Sequence, residues 1–337
     1  MVRTAKAHIA GVFEHPTRKA VDKTIPQLHA ELAAGVLADA GLQKEDVDGF
    51  FCDGTVPGLG GISMAEYIGL DLRYTDCTET GGSSYTVHVG HAAQAIADGK
   101  CNVALISLAG RPRAEGLKTL GARAYGGPPE VAFEMPYGPA VVNTYAMVAM
   151  RHMHEFGTTP EQLAWIKVAA SHHAQHNDLA VLRDLVTVED VLQSPMIADP
   201  LHRLDCCVIS DGGGAIIMVN PSIAKSLGDR CVKVLGQGEA IKHLNGGQVD
   251  LTYTAGVSSG RIAFEEANLK PTDIDYVSIY DSFTITVLIT LEDLGFCERG
   301  QGGKFVAEGN LISGVGKLPF NTDGGGLCNN HPGNRGS

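Results

Sequence analysis

Apolar positions along this chain switch between a 3.6-residue spacing and short unbroken runs, the pattern of helices alternating with buried strands. Val2 to Phe13 has strand character. Lys23 to Gly41 spaces Leu28, Leu32, Val36 and Leu37 as a helix, with Gly41 placed to stop it. Asp46 to Cys52 enters a strand, and Gly58 to Leu70 reads as a glycine-rich loop followed by a short helix. The stretch from Thr75 to Gly110 organises the rest. Its polar approach ends in Thr80-Gly81-Gly82-Ser83-Ser84, and Val87, Gly90, His91, Ala93, Gln94 and Ala97 then follow at helical spacing. After Asp98-Gly99-Lys100, Val103 to Leu108 is an apolar run of strand length. A helix with small residues all round is packed on every side, so this unit belongs in the middle of a domain. Two glycines precede its first turn, so amides and the positive dipole end face an open loop that can hold an oxyanion, a thioester oxygen or a phosphate. A buried crossover without chemistry is the plain alternative.

The texture changes from Arg111 to Pro200. Prolines and glycines crowd Gly126 to Pro139, and amphipathic helices follow at Thr144 to Phe156, Thr159 to Asn177 and Val188 to Gln193, with no strong strand between them. This predicts an inserted helical cap over the core. Strand texture returns at Cys206 to Val219 and Cys231 to Gly238, and Gly256 to Ala267 is a further helix. Ala40 to Phe51 lines up with Ala267 to Val277: in each, a helix ends at Leu and Asp-x-Asp leads into an apolar strand. Each copy also has a glycine-rich loop downstream, Thr80 to Ser84 and Asn321 to Gly336, so two similar β-α-β halves are expected.

Length and composition narrow the function. At 337 residues, with 44% hydrophobic and 19% charged residues, the chain has room for a substantial core. The 42 glycines and single Trp suit a closely packed α/β protein. A net charge of −12, with no basic stripe, disfavours nucleic acid as the main partner. No apolar run reaches the roughly 18 residues of a membrane span, and the start lacks the signal-peptide pattern, so no membrane and a cytoplasmic location are expected. The 8 cysteines show neither CxxC pairing nor zinc spacing, which reads as free thiols.

These residues resemble the thiolase superfamily, in its branch of sterol-carrier-protein-type thiolases and thiolase-like lipid-transfer proteins. Glu79 to Leu108 is similar to the family's nucleophile loop, central helix and following strand. Ser210-Asp211-Gly212-Gly213-Gly214-Ala215 resembles its Asp-Gly-Ala-Ala strand, and Tyr280-Asp281-Ser282-Phe283 sits where thiolases have Asn-Glu-Ala-Phe. Asn321-Thr322-Asp323-Gly324-Gly325-Gly326, followed by Asn330-His331-Pro332-Gly333, resembles the Asn-x-x-Gly-Gly and Gly-His-Pro signature. The resemblance implies the α/β thiolase fold: two β-α-β-α-β-α-β-β halves in a five-layer α-β-α-β-α arrangement, with a helical loop domain. The corresponding boundaries are 1–220 for the first half, about 111–200 for the loop domain inside it, and 221–337 for the second half.

Two departures bear on chemistry. Thiolases attack with a cysteine where this chain has Gly81-Gly82-Ser83-Ser84, and Cys77 lies on the approach instead. A serine does not replace a thiolate, since an alcohol needs an adjacent base. The second departure is that the family's tail beyond His331, with a central helix, two strands and a second cysteine, is not in this sequence, which reads as a truncated half.

His331 is the first catalytic candidate, as an oxyanion-hole donor or proton shuttle. Asp281 is a candidate base or else a helix cap, and Tyr280 and Tyr85 are hydroxyl donors or packed side chains. Gly81, Gly82, Ser84, Gly325, Gly326 and Asn330 are candidates for substrate or oxyanion binding. Ser83 is either a nucleophile or a cap, since Gly81 to Tyr85 nearly fits the G-x-S-x-G elbow of α/β-hydrolases. His172, His173 and His176, and His88 with His91, lack a completing ligand pattern, so no metal is expected. Gly58 to Gly61 and Gly300 to Lys304 miss the frames of nucleotide loops.

The resemblance implies an acyl-CoA ligand, coenzyme A as part of the substrate with no bound cofactor, and a homodimer. For some thiolase-like lipid-transfer proteins it implies retro-aldol cleavage of a β-hydroxyacyl-CoA beside a small partner with an OB fold and zinc ribbon. A conventional β-ketoacyl-CoA thiolase using Cys328 or a cysteine of the tail, a non-catalytic acyl-CoA or lipid carrier, and a serine hydrolase are the alternatives.

Overall fold

The computed structural model describes residues 5–54, 56–116 and 140–333, with Phe133 and Tyr137 besides. The crowded Gly126 to Pro139 stretch lies mostly outside them. A six-stranded sheet has the order β3-β2-β4-β7-β1-β8, and its last strand comes from beyond the expected boundary at 220. Its strands are β1 (Ala7–Glu14), β2 (Gly49–Phe51), β3 (Tyr74–Asp76), β4 (Val103–Gly110), β7 (Gly212–Val219) and β8 (Val232–Val234). β2 runs parallel to β3 and β4, whereas β7 pairs antiparallel with both β4 and β1. The predicted Cys206 to Val219 strand is shorter, because residues 206–211 bond to other loops instead.

Alternation along β4 sends side chains to opposite faces. Val103 and Leu105 pack with Leu28, Leu32 and Val36 of helix α1 (Ile25–Ala40). Ala104 and Ile106 pack with Tyr85, Ala92 and Ile96 of α3 (Ser84–Ala97). The sheet is therefore covered on both sides. The small-residue helix buries the face that carries Tyr85, His88, Ala92 and Ile96, but Thr86, Gln94 and Ala97 are exposed, so it is not packed on every side as its pattern predicts. A capping box of Thr24 with Gln27 starts α1, and Gly41 ends it at φ 70° in the left-handed region. The short helix α2 (Gly61–Ile68) follows the first glycine-rich loop.

Beyond β4, α4 (Val141–Phe156), α5 (Pro160–Ala174) and α6 (Val188–Gln193) match the predicted helical texture. A two-stranded ribbon of β5 (Met196–Ala198) and β6 (Leu201–His202) closes this region, where no strand is predicted. Ala149, Leu163, Ile166 and Ala170 share one core with Ile279, Phe283, Leu288, Phe320 and Leu327. These helices are thus packed against residues 277–328. Helix α7 (Pro221–Leu227) returns to the sheet, where Ala224 joins the core of Leu28, Leu105 and Ile217, and α8 (Gly256–Ala267), α9 (Thr284–Asp293), α10 (Gly302–Val306) and α11 (Gly325–Cys328) follow in order. Two extended segments meet at a parallel bridge between Val277 and Phe320. Asn321 extends that pairing with its side chain, accepting from Ile279 N and donating to Ile279 O, both at 2.8 Å. These contacts place the Tyr280-Asp281 step beside the Asn321 loop. Among the described residues, no helix is long and apolar enough to cross a membrane.

Candidate functional site

Two glycine-flanked turns, more than two hundred positions apart in sequence, meet at Tyr280. Its phenol oxygen lies 3.1 Å from His331 Nε2, and the two rings stack with centroids 5.6 Å apart. On the other side, a Cβ added to Gly82 would fall 2.7 Å from the Tyr280 ring, so only glycine lets the loop approach this closely. His331 is 4% exposed, and its main chain is pinned: its amide donates to Ser210 Oγ at 2.8 Å. Ser210 Oγ in turn donates to Asn330 Oδ1, while Asn330 Nδ2 donates to Glu14 at 3.1 Å. A neutral imidazole can accept from the phenol at Nε2 or donate to it, depending on tautomer. A proton can therefore pass between the two groups.

The structure reassigns several predicted candidates. Asp281, 3% exposed, accepts the amides of Gly326 at 2.7 Å and Leu327 at 3.1 Å. It caps the α11 turn rather than the helix that starts at Thr284, and its oxygens are committed to that task. The amide of Gly326 is therefore taken, and that of Gly325 is held by Asp323 at 3.0 Å. Neither points an unclaimed donor at a substrate. Gly81 donates to Glu79 at 2.7 Å. Ser84 is fully buried, with its hydroxyl accepting from Thr80 N at 2.9 Å and donating to Gly81 O at 2.8 Å, so it ties the loop and is not a ligand. Ser83 is exposed at the N-cap of α3 and its side chain makes no capping bond. Tyr85 donates to Asp53 at 2.8 Å; burial and that carboxylate both push its phenol up from its ordinary value. Of the predicted set, the structure brings Gly82, Tyr280 and His331 together, with Asn330 and Asp281 holding the turn that carries His331.

Three of the histidines weighed for a metal have other partners. His88 bonds Thr78 O at 3.0 Å, His91 bonds Asp76, and His173 Nε2 accepts from Ser313 N at 3.0 Å. No cluster of three or more His, Cys, Asp or Glu suited to a metal occurs among the described residues. Sequence reasoning missed Ser210 as the residue that holds His331, although its place at the head of Asp211-Gly212-Gly213-Gly214 was a usable signal.

A cavity of about 530 Å³, within the range of small-molecule pockets, lies against the Cys206–Ile209 segment; Gly82, Tyr280 and His331 are not among its lining residues. Its walls include Arg113 and Arg203, both exposed, with Leu182, Cys207, Val208 and Ile209. Cys207 N donates to Ser282 O at 3.0 Å and Val208 N to Gly326 O at 2.9 Å, which ties the cavity wall to both site loops. Burial, helped by Asp205, pushes the Cys206 thiol up to about 12, and burial and Asp281 push Cys207 up as well. Cys328 is fully buried. Cys77 takes the Gly61 amide at 3.0 Å and packs under α2, 3.8 Å from the Cys52 sulfur.

A family model described as "Thiolase C-terminal domain-like" matches residues 238–337. An acetyl-CoA acetyltransferase of Methanothermobacter thermautotrophicus is 32% identical over 96% of this chain and 86% of its own length. A steroid side-chain-cleaving aldolase of Thermomonospora curvata is 34% identical over 95% of this chain and 85% of its own. Among solved structures, an Ltp2-ChsH2(DUF35) aldolase superposes with a TM-score of 0.88 at 32% identity, covering 98% of this chain and 87% of that one.

Proposed function

Because the chain belongs to the thiolase superfamily, in its sterol-carrier-protein-type branch, we propose that it is a CoA-ester aldolase that cleaves a β-hydroxyacyl-CoA without a covalent acyl-cysteine. The observation that carries this reading is the Tyr280–His331 pair pressed against the Gly82 backbone. In the reaction, Tyr280 passes its own phenol proton to His331 Nε2 as it takes the proton of the β-hydroxyl. The bond between the α and β carbons breaks, the β carbon becomes an aldehyde or ketone, and its electron pair passes into the thioester enolate. Gly82, at the mouth of α3, stabilises the enolate oxygen with its amide and the helix end. Return of the proton to the α carbon gives the shortened acyl-CoA. The Arg113 and Arg203 side chains suit CoA phosphates, and the apolar walls between them suit the pantetheine arm.

The name of one relative, an acetyl-CoA acetyltransferase, favours a second reading, acyl transfer through a thiolate. The thiols at the cavity argue against it. Cys206 and Cys207 are raised out of the range where a thiolate forms at neutral pH, and Cys328 is buried. The chain is proposed to act as a cytoplasmic homodimer beside a small partner of OB-fold and zinc-ribbon type, as the DUF35 component of the matched aldolase suggests.

Mass-spectrometric product analysis with a panel of β-hydroxyacyl- and β-ketoacyl-CoA esters tests the reading, with and without a DUF35-type partner. A carbonyl product and a shortened acyl-CoA, formed without free CoA and lost in Tyr280→Phe, are expected. Cleavage of β-ketoacyl esters that requires free CoA and is abolished by iodoacetamide would establish acyl transfer instead.

A further inference from the structure

Lys167 lies in the apolar core, 1% exposed, in the middle of α5. Its ammonium donates to the Leu327 carbonyl at 2.7 Å and to Cys328 Sγ at 3.1 Å. It forms no ion pair among the described residues. Burying an ammonium without a carboxylate is costly, and an apolar side chain of the same length would fill the space at less cost. The charge therefore needs a reason to be there.

The reason lies in what the two acceptors belong to. Leu327 and Cys328 form the C-terminal end of α11, whose amides at the other end are held by Asp281. A single helical turn is thus gripped by a carboxylate on its amides and an ammonium on its carbonyl, the groups that a short helix leaves unsatisfied. The turn runs directly into the site. Asn329 N and Asn330 N both donate to Gly325 O, at 2.8 and 3.2 Å, and His331 follows. The charge of Lys167 also opposes the upward push of burial on the thiols of Cys206, Cys207 and Cys328.

We propose that Lys167 is a positioning residue: its ammonium fixes the C-terminal end of the Gly325–Cys328 turn and thereby the place where His331 meets Tyr280. The kinetic part of this inference rests on the aldolase reading; the geometric part does not.

Two measurements on the full chain separate them. In Lys167→Met, amide hydrogen exchange at Gly326, Leu327 and His331 quickens by about tenfold while the α1 and α3 amides keep their rates, as loss of a local hydrogen bond requires. Turnover of the β-hydroxyacyl-CoA that the wild type cleaves drops in kcat by about 10- to 100-fold, with KM within about twofold, because the pair is displaced and the cavity is not. Propylammonium added to Lys167→Ala restores much of the lost kcat. If Lys167→Met does not fold, Lys167→Ala with and without propylammonium gives both readouts. Unchanged exchange at those three amides overturns the proposal. So does a loss in which kcat, KM and melting temperature worsen together and the amine rescues nothing. A wild type that cleaves no β-hydroxyacyl-CoA overturns the aldolase reading alone, and the exchange rates still decide the role of Lys167.

Discussion

Replacing Asp281 with asparagine separates a cap from a catalyst. The carboxylate sits in the cradle of the α11 turn: a Cβ added to Gly325 would fall 2.1 Å from its Oδ2. It accepts two amides, Gly326 at 2.7 Å and Leu327 at 3.1 Å. Asparagine keeps one acceptor and turns an NH2 group toward the other amide, so one charge-assisted bond is lost and the second weakens. Hydrogen bonds to charged groups contribute about 1.5–3 kcal/mol each, so Asp281→Asn should cost about 2–4 kcal/mol of stability. Urea denaturation followed by circular dichroism measures this directly. If the role is structural, the acid limb of the kcat pH profile stays where it is in wild type, even if kcat falls as the turn loosens. An unchanged urea midpoint, with kcat down by the roughly 100-fold or more that a general base supplies and with the acid limb gone, would refute the argument.

Other perturbations test neighbouring contacts. Gly82→Ala puts a methyl group into the Tyr280 ring and should lower kcat by about 100-fold while the fold is kept, read by steady-state kinetics beside circular dichroism. Ser84→Ala removes the hydroxyl bridge between Thr80 and Gly81 and should cost about 0.5–2 kcal/mol in urea denaturation, and a fluorophosphonate probe should leave Ser84 unlabelled. Glu292 pairs with His152 at 3.1 Å and accepts Gly302 N; burial pushes its carboxyl up, but these bonds outweigh burial and hold it below 4.5. Its contribution is therefore present above pH 4.5 and lost as pH falls through the lowered value, so Glu292→Gln should flatten the acid side of the stability curve.

Much of the fold was legible because it is written in local pattern. Gly41 terminates α1, and Val188–Gln193 and Gly256–Ala267 begin and end where their sequences indicate. The Gly82 to His331 meeting was also foreseeable, but only from the resemblance, since no spacing rule joins residues so far apart. What stayed hidden is tertiary. Asp281 precedes a helix, so its sequence neighbourhood points to a local cap, yet its partners lie 45 residues onward in α11. Ser84 reads in sequence as a candidate for substrate binding, and only burial shows it spent on its own loop. Lys167 left one signal, a lone charge among Leu163, Ala164, Trp165, Ile166, Val168 and Ala169, and helical period alone does not distinguish a buried lysine from one that reaches solvent.

These hidden contacts fit the proposed cleavage without a thiolate. A covalent mechanism ties the acyl group to the nucleophile, so the bond itself keeps the reacting carbon in place. A retro-aldol step has no such tether, and the base and the enolate hole must be held by the protein before substrate arrives. His331 has its main chain fixed by Ser210, its turn gripped by Asp281 and Lys167, and its ring stacked on Tyr280. Gly82 then limits where the Tyr280 ring can go, because the loop and the ring are already in contact. Rigidity is placed around the Tyr280–His331 hydrogen bond, where a mobile partner would cost the most rate.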